Sequence, residues 1–377
     1  MFVFAAHSLG WYYYLHSDVW SLPPSYFYTH LGQSSVTLFF MITAFLFVSK
    51  LLDSSGKTGD SALSSPVFWR HLFVSRFMRL TPLYLLMLTA VLMLTAVVSD
   101  FQLREPWFVL LKHTGSWASF IIFDRPNLNG VPNTWNMISG VNWTLPYEWF
   151  FYFSLPLVAL VSAPFLVSRG QRASPWPAFI YVLFSAAAMA GLWLAIFPWK
   201  PTPIYFYAFA GGFLAALLLR FKLLKNRLNG TAGAVIALFC LTYVFRNFAG
   251  ADNVPATVWL TVAFTIMASG NSIFGLLHSR AAQSLANAAY SIYLLHGLVI
   301  YIAFKIVIGS AAAQLTATQH WGIILVCTVI LIPLSFATFH WIEAPAIRNA
   351  PHLSRWIEEH NLLFFHKWLR RHYRREL

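Results

Sequence analysis

The segment VNWTLPYEWFFY, residues 141–152, indicates how the rest of the chain folds. It joins polar and aromatic residues to a long apolar run, and from Trp149 to Val167 that run carries no charge. Glu148 therefore lies just inside a predicted apolar helix, where a carboxylate is costly to bury. Such a helix is typical of a membrane protein, and its carboxylate needs either a structural or a functional reason.

The composition of the whole chain supports a membrane location. Of its 377 residues, 58% are hydrophobic and only 10% are charged, whereas soluble domains average about 25% charged residues. A soluble protein with this balance could not cover its surface with polar groups. The net charge of +13 comes from lysines and arginines in short gaps between apolar runs. This pattern is typical of membrane topology rather than of nucleic-acid binding.

Apolar runs long enough to cross a bilayer as helices, about 20 residues each, recur along the chain. They predict an all-α, polytopic transmembrane helical bundle of about ten spans over residues 1–345, followed by a basic cytoplasmic tail over 346–377. The first span is short, so its N-terminal part is expected to precede Met1. A mixed segment at 107–123 is predicted to be interfacial or re-entrant. The spans are predicted at 1–15, 34–52, 80–98, 145–167, 178–197, 204–219, 232–245, 257–277, 288–308 and 321–342.

Basic residues are unevenly distributed between the predicted loops. Most of the lysines and arginines that lie in loops belong to the loops that follow the second, fourth, sixth and eighth spans. Cytoplasmic loops are enriched in these residues, so both termini are expected in the cytoplasm. Residues 141–152 then lie at the outer mouth of the bundle, on the opposite side of the membrane from Arg76 and Arg79.

Three ionisable side chains are expected in or near the membrane core. A rise of about 1.5 Å per residue puts His7 and His296 each about 12 Å from one end of its span, near the midplane of a core about 30 Å thick. By the same arithmetic, Glu148 lies about 5 Å from the outer boundary. These three side chains could line one cavity.

Each of these side chains also has a structural interpretation. An intramembrane histidine can take a proton from a hydroxyl, but His7 could equally bond a serine or tyrosine of a neighbouring helix. Glu148 could simply stabilise a helix start, where the helix dipole favours a carboxylate and Pro146 fits the first turn. The residues nearby that are predicted to line a substrate site, or else to form an interfacial belt, are Asn142, Trp143, Tyr147 and Tyr152.

Other polar groups accompany the third, ninth and tenth spans. Arg76 and Arg79 share one helix face and could clamp phosphates, or else anchor the helix and contact membrane lipids. Glu343 is expected at the cytoplasmic edge, where it could simply pair with a basic loop; its role stays open between a structural and another one, and Pro345 is expected to end its helix. No glycine-rich phosphate loop and no Cys/His spacing for a metal is present, so neither a metal site nor a permanently bound cofactor is expected. The ninth-span residues predicted to line a pore, or else to bond between helices, are Tyr290, Ser291, Tyr293 and His296.

Several of these segments, in this order, resemble the membrane-bound acyltransferase-3 family, whose polytopic members O-acylate bacterial surface polysaccharides and other exported molecules. His7 matches the intramembrane histidine of the family's first span. Thr43 and Ala44 stand where the family usually has Ser-Gly. The segments that carry the resemblance are LFFMITAFLF at 38–47, SRFMRLTPLY at 75–84, WTLPYEWFFY at 143–152, YSIYLLH at 290–296 and IEAP at 342–345.

The resemblance implies an O-acyltransferase of the bacterial cytoplasmic membrane. The donor would be cytoplasmic acyl-CoA, with acetyl-CoA expected, and the acceptor a hydroxyl of a surface or secreted saccharide reached from the outer side. His7 would act as general base, and Glu148 would orient or polarise the acceptor or His7. Arg76 and Arg79 would hold the CoA phosphates. An acyl-enzyme is neither implied nor excluded.

A different class of function stays open at the level of sequence. A transporter or carrier of a lipid-linked or polar envelope precursor would also bury polar residues and open at an outer mouth. Inverted repeats or broken helices would favour that alternative. The sequence shows no internal repeat, which favours the enzyme.

Overall fold

The computed structural model describes residues 1–21, 24–58, 66–167, 190, 202 and 204–373. Over these residues the chain forms helices and short helical turns, with no strand among them. The span predicted at 178–197 lies outside the described residues, apart from residue 190. The α-helices are α1 (Phe2–Ser17), α2 (Tyr26–Thr58), α3 (Pro66–Val98), α4 (Trp107–Ala118), α5 (Thr144–Val167), α6 (Ile204–Leu218), α7 (Lys222–Leu228), α8 (Thr231–Asn247), α9 (Val254–Ala268), α10 (Arg280–Asn287), α11 (Ala289–Tyr301), α12 (Ala317–Thr338) and α13 (Ala344–Tyr373).

The length and polarity of these helices confirm the all-α membrane class. Four helical stretches of the described chain are long and apolar enough to cross a membrane. Helices α6 and α7, which are bent by 111° relative to each other, make a fifth if they are counted as one span. The number of ten spans and the cytoplasmic position of the termini stay predictions. The four stretches of the described chain that are long and apolar enough to cross a membrane are Tyr26–Asp53, Val67–Val98, Ala289–Gln314 and Ala317–His360.

Two predicted helix ends were wrong, each for a local reason. The eighth span was predicted to reach residue 277, but α9 ends at Ala268, and Gly270 then adopts a left-handed φ of 105° that glycine tolerates. Pro345 was expected to end its helix. Instead, the π-helical turn Phe339–Glu343 leads straight into α13. Pro345 follows this turn, in which the hydrogen-bond ladder is shifted from the α-helical pattern, so the boundary predicted at 345/346 falls inside a continuous helical segment.

The segment between α3 and α5 determines where α5 begins. The helix within it, α4, has 12 residues, too few to cross a core about 30 Å thick, and it exposes Trp107 and Phe108. The two short 3₁₀ turns that follow, Thr134–Ile138 and Val141–Trp143, are largely buried. The first turn of α5 therefore lies inside the protein rather than at its surface.

Helix α11 packs closely against the first of these turns. A Cβ atom at Gly297 would overlap the backbone carbonyl of Ile138. Glycine at this position lets the two backbones touch, as small residues do between membrane helices. The contact also holds the adjacent His296 in the interior, where its side chain is fully buried.

Replacing Gly297 by alanine is expected to lower the free energy of unfolding by about 1–3 kcal/mol, because overpacking forces side chains and backbone to shift. Thermal unfolding of the purified protein in detergent measures the effect. The matched control is Gly322→Ala, since Gly322 is also helical but a Cβ there meets nothing within 4 Å. Alanine at 322 should maintain or raise stability. Equal melting temperatures for the two variants would contradict this account of the contact.

Candidate active site

One cavity, of about 250 Å³, lies between α1, α2, α6 and the start of α5. We call it the aromatic cavity because five rings line it together with His7. Polar groups on its wall include Thr29 and Gln33. The rings are those of Trp20, Tyr28, Trp143, Tyr205 and Tyr293.

A second cavity, of about 430 Å³, lies between α2, α3, α5 and α11. We call it the arginine cavity because Arg76 and Arg79 line it. Apolar side chains such as Phe39 and Leu46 form much of the remaining surface. The other polar side chains that line it include Glu148, Tyr152, Tyr290, Tyr293 and His296.

The two cavities adjoin and share part of their lining, which we call the wall. Val3, Val36 and Tyr293 line both cavities. His7 lines the aromatic cavity and His296 the arginine cavity, and their ring centroids lie 5.1 Å apart with the ring planes at 89°. The two intramembrane histidines predicted from sequence therefore meet, one on each side of this wall.

The tautomer of His296 follows from its hydrogen bond. Its Nδ1 lies 3.1 Å from the carbonyl oxygen of Ile292, one turn earlier on α11. A carbonyl oxygen can only accept a hydrogen bond, so Nδ1 carries a hydrogen. The Nε2 atom of a neutral ring then presents a lone pair. This atom is buried and makes no hydrogen bond within the described part of the chain.

Glu148 lies on the arginine side of the wall. Its side chain is only 3% exposed, and it accepts a hydrogen bond of 2.7 Å from the Tyr152 hydroxyl, one turn further along α5. Arg76 and Arg79 line the same cavity, so the expectation that Glu148 lies across the membrane from the arginine pair was wrong, whereas its position on the outer side stays a prediction. The depth arithmetic placed the start of α5 at the membrane surface, whereas the buried 3₁₀ turns place it in the interior.

Arg76 and Arg79 both face the arginine cavity. The guanidinium of Arg76 lies 4.8 Å from the centre of the Phe47 ring. Both arginines interact electrostatically with Glu148 across the cavity. Neither forms an ion pair with a carboxylate in the part of the chain that the structure describes. Both side chains line the cavity, where they can contact an anionic ligand as well as Glu148.

Glu343 is not the surface carboxylate that its sequence position suggested. It is 1% exposed and accepts a short hydrogen bond from the Ser291 hydroxyl. The Thr338 hydroxyl in turn donates a hydrogen bond of 3.0 Å to the Ser291 hydroxyl. This network ties α11 to the π-helical turn at the end of α12, so Ser291 and Glu343 support the arginine cavity instead of lining it.

The remaining predicted lining residues separate into two groups. Trp143 lines the aromatic cavity. Tyr290 lines the arginine cavity, and its hydroxyl donates a hydrogen bond of 2.9 Å to the Leu80 carbonyl. Asn142 and Tyr147 line neither cavity. Asn142 is fully buried, and the Tyr147 hydroxyl accepts a hydrogen bond of 2.9 Å from the backbone N–H of Thr202.

Sequence reasoning missed several residues of the aromatic cavity. Trp20 follows α1 in an irregular segment, and Tyr205 opens α6. Neither lies in a polar cluster or a charged motif, so no local pattern distinguished them from interfacial aromatics. Their place in the cavity arises from packing between distant parts of the chain.

Helices that can cross a membrane and two cavities that meet at a histidine pair define a multi-pass membrane protein with a buried polar site. A family model described as an acyltransferase domain, acyltransferase family 3, matches residues 1–340. The chain belongs to this family and is accordingly a membrane acyltransferase by class. No curated protein and no solved structure matches it significantly.

Proposed function

We propose that the protein transfers an acyl group, with acetyl expected, from acyl-CoA to a hydroxyl of a surface or secreted saccharide at the bacterial cytoplasmic membrane. The observation that carries this proposal is the meeting of the two cavities at His7 and His296. One cavity offers two arginines that make no ion pair with a described carboxylate, and the other offers aromatic rings. Acyl transfer needs such an arrangement, because donor and acceptor must reach one another while binding to different chemistry.

The arginine cavity suits the donor. Guanidinium groups bind phosphate oxygens through paired, charge-assisted hydrogen bonds, so Arg76 and Arg79 can hold phosphates of CoA. The apolar surface formed by residues such as Phe39 and Leu46 suits the acyl chain and the thioester arm. A volume of about 430 Å³ suits the acyl chain and the thioester arm of the donor, but not the whole acyl-CoA molecule.

The aromatic cavity suits the acceptor. Sugars have apolar C–H faces and polar edges, and a site with flat rings and a few polar groups matches both. Trp20, Trp143 and Tyr205 supply rings, while Thr29 and Gln33 supply polar atoms. His7 lines the same cavity and can meet the acceptor hydroxyl there.

The reaction follows from this placement. His7 removes the hydroxyl proton as the oxygen attacks the thioester carbonyl, and the carbon–sulfur bond breaks to release CoA. General-base help of this kind contributes about 10²–10⁴ in rate. Holding both substrates at one wall adds to it by removing the entropic cost of their encounter.

Glu148 is better explained as a donor-side residue than as an acceptor-binding one. Its carboxylate faces Arg76 and Arg79 and is fixed by Tyr152. Replacing Glu148 by glutamine removes a negative charge near the expected phosphates, so acyl-CoA should bind more tightly. A gain of about 1 kcal/mol corresponds to roughly fivefold in Kd. The KM for the acceptor should not change.

Calorimetry with acyl-CoA and steady-state kinetics with varied acceptor separate the two roles of Glu148. The control is Asp53→Asn, because Asp53 is an exposed acidic residue on α2 that pairs with Arg220 outside both cavities. A higher acceptor KM with unchanged donor affinity in the Glu148→Gln protein would restore the acceptor-binding interpretation.

The transporter alternative loses its main structural support. The bend between α6 and α7 resembles a broken helix, yet α7 is short, exposed and basic, with Lys222, Lys225 and Arg227 among its seven residues. Such a helix is typical of a membrane surface rather than of half a span.

Mass spectrometry of envelope saccharides tests the proposed function. Cells that express the protein, cells that lack it, and cells that express the His7→Gln variant are compared. An acyl mass increment that occurs only with the intact protein is expected, and fragmentation then identifies the acceptor. Identical saccharide masses in all three samples would overturn the proposal.

A further inference from the structure

His7 and His296 have complementary unsatisfied nitrogens. The Nε2 atom of His296 is a buried lone pair with no hydrogen-bond donor among the described residues, and the Nδ1 atom of His7 is likewise buried without a partner. The Nε2 atom of His7 is not buried in this way and can meet a hydroxyl in the aromatic cavity. The two ring centroids lie 5.1 Å apart, and a rotation of the His7 ring about its broad χ2 torsion is the movement that would bring these two nitrogens within hydrogen-bond distance, about 2.7–3.2 Å.

We propose that His7 and His296 form a proton relay through the wall, with His296 as the general acid that protonates the sulfur of the departing CoA. This proposal rests on the proposed function, because it requires an acyl thioester in the arginine cavity and a hydroxyl in the aromatic cavity. It assigns His296 a catalytic role rather than a lining role.

The relay balances as follows. The acceptor hydroxyl gives its proton to Nε2 of His7, and its oxygen forms the new bond to the acyl carbon. His7 releases the hydrogen on its Nδ1 to Nε2 of His296. The carbon–sulfur bond breaks with its electron pair on sulfur, and His296 delivers the proton to that sulfur. The products are the ester and the CoA thiol. His296 has returned to its starting tautomer, whereas His7 now carries its hydrogen on Nε2, and exchange of that proton with water restores the hydrogen on Nδ1.

The other polar side chains of the arginine cavity are less suited to this role. The hydroxyl hydrogens of Tyr152, Tyr290 and Tyr293 are donated to Glu148, to the Leu80 carbonyl and to the Val141 carbonyl, respectively. The arginines keep their protons under all ordinary conditions. His296 lines the cavity, its ring lies beside that of His7, and its Nε2 is buried without a partner among the described residues.

A double-mutant cycle tests the relay. Acyl transfer is measured for the wild-type protein, His7→Gln, His296→Gln and the double variant. Each single change is expected to slow transfer by about 10²-fold or more, as loss of a general acid or base does. Groups that act as one unit are strongly non-additive, so the double variant should be no slower than the slower single variant. Independent roles would instead multiply the two losses.

Two further measurements exclude a merely structural role for His296. Acyl-CoA affinity should stay within about threefold of wild type in His296→Gln, because the phosphates are held elsewhere. Imidazole added to His296→Ala should restore part of the lost rate. The control His30→Gln replaces another buried histidine, which bonds Ser34 and the Phe248 carbonyl and lines neither cavity, and it should retain transfer.

The outcomes separate the relay from the proposed function. If the wild-type protein itself transfers no acyl group, the proposed function fails. If wild type is active but His296→Gln is equally fast, or the losses multiply, or imidazole gives no rescue, the relay is overturned. An acyl group covalently bound to His296 in protein quenched without acceptor would also overturn it, because His296 would then be the nucleophile.

Discussion

Replacing His7 by glutamine is expected to slow acyl transfer by about 10²–10⁴-fold, the usual contribution of a general base. Glutamine keeps a side chain of similar size and can still hydrogen-bond, but it cannot take a proton from the acceptor. Transfer from radiolabelled acetyl-CoA to an extracted saccharide acceptor measures the loss. In the proposed function the donor binds in the arginine cavity rather than beside His7, so the affinity for acyl-CoA should be unchanged.

This prediction is specific because the transfer rate should fall while the affinity for acyl-CoA stays the same. His30→Gln is the control, because His30 is a buried histidine on α2 that lines neither cavity. Its variant should transfer at nearly the wild-type rate. A His7→Gln protein that folds, binds acyl-CoA and transfers within tenfold of wild type would remove His7 from the role of base, since tenfold is only about 1.4 kcal/mol of barrier.

Composition and spacing were sufficient for the class and for selecting several side chains that line the two cavities. Long apolar runs with few charges predict membrane helices because nothing else can bury so much apolar surface. Side chains that are costly to bury, such as His7, Glu148 and the arginine pair, were therefore distinguishable as site candidates. All of them line one of the two adjoining cavities.

Depth could not be predicted in the same way. The helical rise converts residue number into distance only if the position of the helix start is known. For Glu148 that start was taken to be the membrane surface, but the buried turns Thr134–Ile138 and Val141–Trp143 precede it. Their burial depends on contacts with α11, more than 140 residues away in sequence, such as the 2.8 Å hydrogen bond from the Tyr293 hydroxyl to the Val141 carbonyl.

Long-range partners also explain the error at Glu343. A carboxylate near the end of a span, followed by proline, is typical of a solvated helix end. Its hydrogen-bond donor, Ser291, is 52 residues earlier in the chain, and no local pattern links the two. The wall between the cavities likewise could not be predicted from a local pattern, because Val3, Val36 and Tyr293 come from three different helices.

The proposed division of the two substrates between the cavities predicts different effects for changes at the arginine pair and changes at His7. If the donor is held on one side and the acceptor on the other, changes at the arginines should affect only the donor, just as changes at His7 should affect only the chemical step. The two sets of variants therefore test the separation of the cavities from opposite directions.

Replacing Arg76 and Arg79 together by alanine is expected to weaken acyl-CoA binding by about 3–6 kcal/mol, since a hydrogen bond to a charged group contributes about 1.5–3 kcal/mol. The corresponding loss in affinity is about 10²–10⁴-fold. Calorimetry with acyl-CoA and with dephospho-CoA measures it. The variant should discriminate less between the two ligands than the wild-type protein does, because the phosphate contacts are gone.

Arg70→Ala is the matched control for the pair. Arg70 lies on the same helix, but its guanidinium pairs with Glu358 at 2.5 Å and lines neither cavity. Partly exposed pairs of this kind contribute about 0–1 kcal/mol, so the control should bind acyl-CoA as the wild type does. An equal loss of affinity in both proteins would indicate a general effect of charge at this membrane face. Unchanged affinity in the double variant would exclude Arg76 and Arg79 as the donor's phosphate clamp.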